Sequence, residues 1–214
     1  MTITVFLADN HGVVRDGVCL LLEAQTDIRV VGNAANGRDA VREVLRLRPD
    51  TVIMGIAMPE LSGIDATLEI REACPSVKIL ILSMFSSIDH VARALQAGAH
   101  GYLLMEATGA ELVDAVRAVH AGHRYLSQKI TGTVIDDYTC RRHASSPLAS
   151  LSSRERQILQ LIAEGKSSAH AAKILFLSPK TVETYRSRLM RKLGISGFPD
   201  LIKFAIQHGL IPLE

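Results

Sequence analysis

Reactive side chains are plentiful in this chain, yet few stand at a spacing that does chemistry. His11, His90, His100, His120 and His123 are scattered without ligand spacing, and Cys19, Cys74 and Cys140 form neither a CxxC pair nor a metal-ligand pattern. No Ser-His-Asp set and no glycine-rich phosphate loop is evident, so the sequence points to no enzyme, no cofactor and no bound metal. The odd, widely spaced cysteines are expected as free thiols of a reducing compartment.

One segment does carry chemistry. Ser178-Pro179 supplies an N-cap and a proline at the first helical position for a helix running to Leu193. Val182, Leu189 and Leu193 share an apolar face, and the opposite face presents Lys180, Thr181, Glu183, Thr184, Ser187, Arg188 and Arg191. Cations and a helix N-terminus hold phosphates, while short polar side chains near the first turns reach base edges, so this face suits the DNA major groove. Glu183 is ambiguous. It either accepts from a cytosine amine or pairs with Arg186 or Arg188 on its own helix.

Charge supports a polyanionic partner for this half. From Leu148 onward there are ten Lys or Arg against five Asp or Glu, a surplus of +5, which leaves −3 for residues 1–147 in a chain of net charge +2. At 214 residues, with 48% hydrophobic and 21% charged residues, the chain is long enough for two compact units. No apolar run approaches the roughly 20 residues of a membrane helix, and Met1 to Asn10 lacks a leader pattern, so a cytoplasmic location and no membrane contact are expected.

The elements that must position these groups follow from periodicity. Short β-branched runs at Val5 to Ala8, Arg29 to Val31, Thr51 to Met54, Lys78 to Leu82 and Gly101 to Leu104 read as strands. Between and after them, Val13 to Ala24, Gly37 to Leu47, Ile64 to Ala73, Ile88 to Ala97 and Gly109 to Ala121 carry helical spacing. The alternation predicts an α/β, doubly wound, five-stranded parallel sheet, because parallel neighbours need crossover helices. Ligands collect beyond the carboxyl ends of such strands, where Asp9, Gly55, Ser83 and Met105 fall. Residues 122–147 break the pattern and turn polar, which predicts a linker. Ser152 then opens a capping box with Glu155 for a helix to Glu164, followed by Ser168 to Leu175, the cationic helix, and Phe198 to His208. Four short helices with a tight connection between the second and third give a small all-α helix-turn-helix unit.

These residues carry a resemblance. Leu7-Ala-Asp-Asn-His11, Met58-Pro59 with Gly63, and Ala97-Gly98-Ala99 with Gly101-Tyr-Leu-Leu104 resemble the flavodoxin-like receiver of two-component response regulators. Leu151-Ser-Ser-Arg-Glu-Arg-Gln157, Leu161-Ile-Ala-Glu-Gly-Lys166 and Leu177 to Gly194 resemble a LuxR-type DNA-binding domain. The order is that of the LuxR/NarL class, with residues 1–121 as receiver, 122–147 as linker and 148–214 as the DNA-binding unit.

The resemblance implies a phosphorylation pocket with most of its chemistry replaced. Asn10 stands for the second metal-binding acid, Gly55 for the acceptor aspartate, and Met105 for the lysine that would face the phosphoryl oxygens; Asp9 and Ser83 remain. Such a pocket is expected to stay collapsed, to bind a small ligand, or to hold the receiver in one conformation. Neither Glu60 nor Asp65 is placed to substitute as acceptor. Tyr102 is expected at the surface or in a dimer contact.

By the same resemblance Glu183, Thr184 and Ser187 read bases, while Lys180, Thr181, Arg188, Arg191 and Lys192 clamp phosphates. Tyr185 replaces the usual histidine, and Ser168-Ala-His-Ala-Ala172 lacks charges usual in the preceding helix. The expected partners are double-stranded DNA and a second copy of the chain. An interaction module that pairs with another regulator through its receiver is the alternative.

Overall fold

The computed structural model describes residues 2–140 and 147–211. Strands β1 (Ile3–Ala8), β2 (Ile28–Ala34), β3 (Thr51–Met54), β4 (Lys78–Ser83) and β5 (Gly101–Leu104) alternate with helices α1 (Gly12–Glu23), α2 (Gly37–Leu47), α3 (Gly63–Ala73), α4 (Ile88–Gln96) and α5 (Gly109–His120). All neighbouring strands pair in parallel. The central strands are buried along their length because helices cover both faces. Side chains alternate accordingly. Phe6 and Ala8 join Met54, Ile81 and Tyr102 on one face, and Val5 and Leu7 join Ile53, Leu103 and Val116 on the other.

The sheet has six strands, not the expected five, in the order β2-β1-β3-β4-β5-β6. Strand β6 (Tyr125–Leu126) pairs Tyr125 with Gly101 and Leu126 with Tyr102. A two-residue strand is too short to show alternation, and it lies inside the stretch read as a linker. Helix α6 (Gln128–Cys140) follows and packs on α4 and β5, with Ile130 wholly buried in the sheet's core. Packing therefore extends well beyond residue 121. The remainder of the turn-rich segment, 141–146, and the side chain of Cys140 lie outside the described residues.

A short 3-10 turn, Pro147–Ser150, leads into α7 (Ser153–Ala163), α8 (Ser168–Leu175), α9 (Pro179–Leu193) and α10 (Phe198–Gln207). The expected caps form: Ser152 and Glu155 make a reciprocal capping box, and the Ser178 side chain accepts from the Thr181 amide. Ile158, Leu159, Leu161 and Ile162 of α7 meet Val182 and Leu189 of α9 in a separate core. Tyr102 corrects the sequence reading. It is fully buried, because its ring points into the core beneath α4 while its hydroxyl donates to the Phe85 carbonyl at 2.7 Å.

Candidate functional site

Two places concern function: the strand ends of the α/β unit and the outer face of α9. At the first, Asp9 follows β1 and is only 2% exposed. Its Oδ1 accepts from the His11 amide at 2.7 Å and lies 2.8 Å from His11 Nδ1, while Arg15 donates to the Asp9 carbonyl at 2.7 Å. The carboxylate is thus tethered from one side by its own following turn. Gly55 sits beside it, with its amide on the Ala8 carbonyl at 2.7 Å. A Cβ at position 55 would lie 2.7 Å from Asp9 Oδ2.

Ser83 ends β4, 3% exposed, and its hydroxyl accepts from the Phe85 amide at 3.0 Å. Met105 is fixed to it through the backbone, its amide on the Ser83 carbonyl at 2.9 Å. The Met105 side chain lines an apolar cavity of about 160 Å³ with Val14, Val18, Leu21 and Leu112, between α1 and α5. The pocket does bring Asp9 next to Gly55 and Ser83 next to Met105. These donors do not fit a magnesium ion: Asp9 is the one acid present, Asn10 brings no charge, and position 55 has no side chain.

The two nearby acids point elsewhere. Asp65, 2% exposed, accepts from Ser62 Oγ at 2.8 Å and from Arg156 Nε at 3.1 Å. Glu60 adopts a left-handed backbone, φ 67, and turns its amide toward Glu164. Gly63 explains how tight this loop is, since a Cβ there would fall 1.7 Å from the Gly55 carbonyl oxygen.

On α9 the side chains expected to meet DNA share one outer surface. Lys180, Glu183, Thr184, Ser187, Arg188, Arg191 and Lys192 are exposed, and Thr181 is half-buried because it helps close the Ser178 cap. Besides Thr181, three of the exposed side chains have partners among the described residues. Thr184 Oγ1 donates to the Lys180 carbonyl at 3.0 Å, and Glu183 is held by the Ser168 hydroxyl of α8 rather than by an arginine. Lys192 Nζ donates to Glu155 Oε2 at 2.8 Å and to the Ser150 carbonyl at 3.2 Å. Lys192 therefore ties α9 to α7 at the edge of the cationic surface.

The sequence reading missed a polar seam between the two units. Arg156, Gln157 and Gln160 of α7, with Glu164 at its C-cap, form one stripe that bonds Asp65, Glu69, the Met58 carbonyl and the Glu60 amide. Gln160 is wholly buried. Its spacing with Arg156 and Glu164, every fourth residue, was visible as a polar helix face, but nothing in the sequence said that this face meets protein rather than water.

The order of the two units is that of known proteins. The family model "Response regulator receiver domain" matches residues 5–117, and "Bacterial regulatory proteins, luxR family" matches residues 149–205. The oxygen regulatory protein NreC of Staphylococcus aureus (strain MRSA252) is 37% identical, with 97% of this chain and 98% of that protein covered. Among solved structures, the response regulator ChrA of a heme-sensing two-component system is 34% identical with a TM-score of 0.55, covering 98% of this chain and 99% of that one. A LuxR-family regulator from Aurantimonas sp. SI85-9A1 is also 34% identical, with a TM-score of 0.63, covering 65% of this chain and 99% of that one.

Proposed function

This chain belongs to the LuxR/NarL class of DNA-binding two-component response regulators, and on that premise we propose that it regulates transcription as a dimer whose receiver takes no phosphoryl group at the usual position. The single observation that carries the reading is Gly55 facing the tethered carboxylate of Asp9. No nucleophile stands at the end of β3, no second acid shares a metal, and a thioether occupies the place of an ammonium. Residues 1–121 form the receiver unit with 122–140 packed against it, and 148–214 carry DNA recognition. On α9, Glu183, Thr184 and Ser187 read bases, and Lys180, Thr181, Arg188 and Arg191 hold phosphates, with Lys192 in a shared role.

Two observations support pairing through α1. Val13 is 88% exposed and Leu20 71%, with exposed Gly17 between them on the same side, so a second helix can approach closely. The α4 side, by contrast, is already occupied by this chain's own α6. The same apolar face serves the alternative, pairing with a different regulator, and sedimentation of the purified chain separates the two: self-association supports the homodimer, and a monomer that binds DNA weakly supports the alternative.

The test of the central reading is treatment with acetyl phosphate and Mg²⁺, followed by intact mass and by DNA-binding measurements. Unchanged mass and unchanged affinity are expected. An added phosphoryl group accompanied by tighter binding overturns the reading.

A further inference from the structure

The seam between the receiver and the DNA-binding unit is built like a fitted joint. Arg156, Gln157 and Gln160, continued by the C-cap residue Glu164, lie on the side of α7 opposite the apolar residues that pack against α9. Gln160 Nε2 donates to the Met58 carbonyl at 2.7 Å and its Oε1 accepts from the Ser62 amide at 2.7 Å, so one amide reads both polarities of the loop that follows Gly55. The Glu60 amide donates to Glu164 Oε1 at 2.9 Å, Arg156 Nε to Asp65 at 3.1 Å and Gln157 Nε2 to Glu69 at 3.0 Å. A buried amide left without these partners would carry its full desolvation penalty, so the surfaces hold together only in this register.

A second contact lies at the far end of the DNA-binding unit. Arg93 Nη1 donates to the His208 carbonyl at 3.4 Å, and Gly209, with φ +62, sits so close that a Cβ would meet His90 Nε2 at 2.8 Å and the Phe85 ring at 2.9 Å. Two separated contacts fix orientation as well as position. Because α7 lies between the receiver and α9, the joint leaves Lys180, Thr184, Ser187, Arg188 and Arg191 exposed. The closed chain does not cover its DNA-reading face.

We propose that this seam is a rigid joint that sets the spacing of the DNA half-sites the dimer accepts, with Gln160 as its principal positioning residue. The inference rests on the dimer reading above. With receivers paired and each DNA-binding unit fixed to its receiver, the two α9 helices stand at one separation; with the joint open, the second unit is no longer held in that register and can reach displaced half-sites.

The experiment uses the full chain and a duplex with two half-sites, selected by that chain from a randomised library. Lengthening the spacer by about five base pairs, half a helical turn, turns one half-site to the opposite face, and the wild-type chain is expected to lose about a hundredfold in affinity. The double variant Gln160→Ala, Arg156→Ala is expected to lose less than about tenfold on the same change and to bind the original spacing no more tightly than wild type. Gly209→Ala disturbs the other contact without touching α7 and should relax spacing in the same direction. Wild-type spacing discrimination in both variants overturns the proposal, and so does binding of the original site about tenfold tighter, which would make the seam an inhibitory clasp. Amide exchange of Ser62 and Glu60 separates the failures: unprotected amides in the wild-type chain overturn the joint alone, whereas a one-to-one complex on the duplex in sedimentation overturns the dimer reading and the spacing rule with it.

Discussion

Restoring the missing carboxylate by Gly55→Asp should burden the fold without restoring the switch. Gly55 lies outside the left-handed backbone region, so the main chain tolerates a side chain there. The Cβ meets Asp9 Oδ2 at 2.7 Å, and that carboxylate cannot swing freely because His11 holds its other oxygen through two contacts of 2.7 and 2.8 Å. Two carboxylates about 4 Å apart repel by roughly 4 kcal/mol at an effective dielectric near 20, and partial protonation and solvent reduce this, so a loss of about 2–3 kcal/mol at pH 7 is expected. For a chain of this size that lowers the melting temperature by on the order of 10 °C.

Gly55→Ala is the control, because it brings the same Cβ without the charge. The gap between the two variants isolates repulsion. Coupling raises the folded-state pKa of the carboxylate pair, so the penalty is full above that raised value and disappears as pH falls below the ordinary aspartate value of about 3.9. Urea melts of both variants from pH 7 to pH 4 should therefore converge, and Mg²⁺ should recover part of the gap by bridging the acids. With Asn10 and Met105 still in place, acetyl phosphate should add little phosphoryl mass to Gly55→Asp. Equal stability of the two variants at pH 7 would refute the geometry, and ready phosphorylation of Gly55→Asp would show that one residue alone had silenced the pocket.

Other outcomes follow from the same contacts. Lys180→Ala should weaken binding to selected and unrelated DNA alike and reduce the logarithmic salt slope by about 1, whereas Ser187→Ala should change base preference by about 1 kcal/mol with the slope intact; titrations at several salt concentrations distinguish them. Lys192→Ala removes the cation 2.8 Å from the buried Glu155, so it should lower thermal stability by about 1 kcal/mol, since the ammonium is itself partly solvated; a change in salt slope with no change in stability would assign it wholly to DNA. Burial, reinforced by Arg93, holds the His90 imidazole neutral down to about pH 4 against the usual 6.5. The unfolded chain takes that proton first, so the contribution is intact above pH 6.5 and falls by about 3 kcal/mol toward pH 4; His90→Phe, which keeps the stack on Phe85, should flatten that part of the stability profile, and an unchanged profile would refute the assignment.

Most of the architecture was legible because its signals are local. The alternation of apolar strands with helical spacing placed the first five strands within a few residues, and Ser152, Glu155, Ser178 and Pro179 marked helix starts that depend only on nearby amides. Strand β6 and helix α6 were not legible, since Tyr125–Leu126 gains its pairing from β5 and Ile130 its burial from the sheet. Tyr102 was misplaced for the same reason: a tyrosine reads as amphipathic, and only the Phe85 carbonyl overhead shows where its hydroxyl goes. At the strand ends the residue types announced what was missing, but the tether between His11 and Asp9 depends on how the turn after β1 folds back. The seam was the least visible of all, because Gln160 and Ser62 are 98 positions apart and neither carries a charge.

That separation in sequence unites the two parts of the reading. The loop from Gly55 to Gly63 begins at the position where a receiver would take its phosphoryl group, and here the same loop offers the Met58 carbonyl and the Glu60 and Ser62 amides to α7. A loop that changed shape on phosphorylation would break those bonds, each made by a buried or half-buried backbone group. On the proposed reading, glycine at position 55 removes the stimulus for such a change. Gly63 packed against the Gly55 carbonyl then keeps the loop in one shape. The two proposals, a receiver without its acceptor at position 55 and a fitted seam, are thus mutually consistent: a surface that does not have to move can serve as a fixed support for the DNA-binding unit. On that reading, control enters through steps that leave this loop alone, such as pairing along α1, the amount of protein, or occupation of the apolar cavity beside Met105.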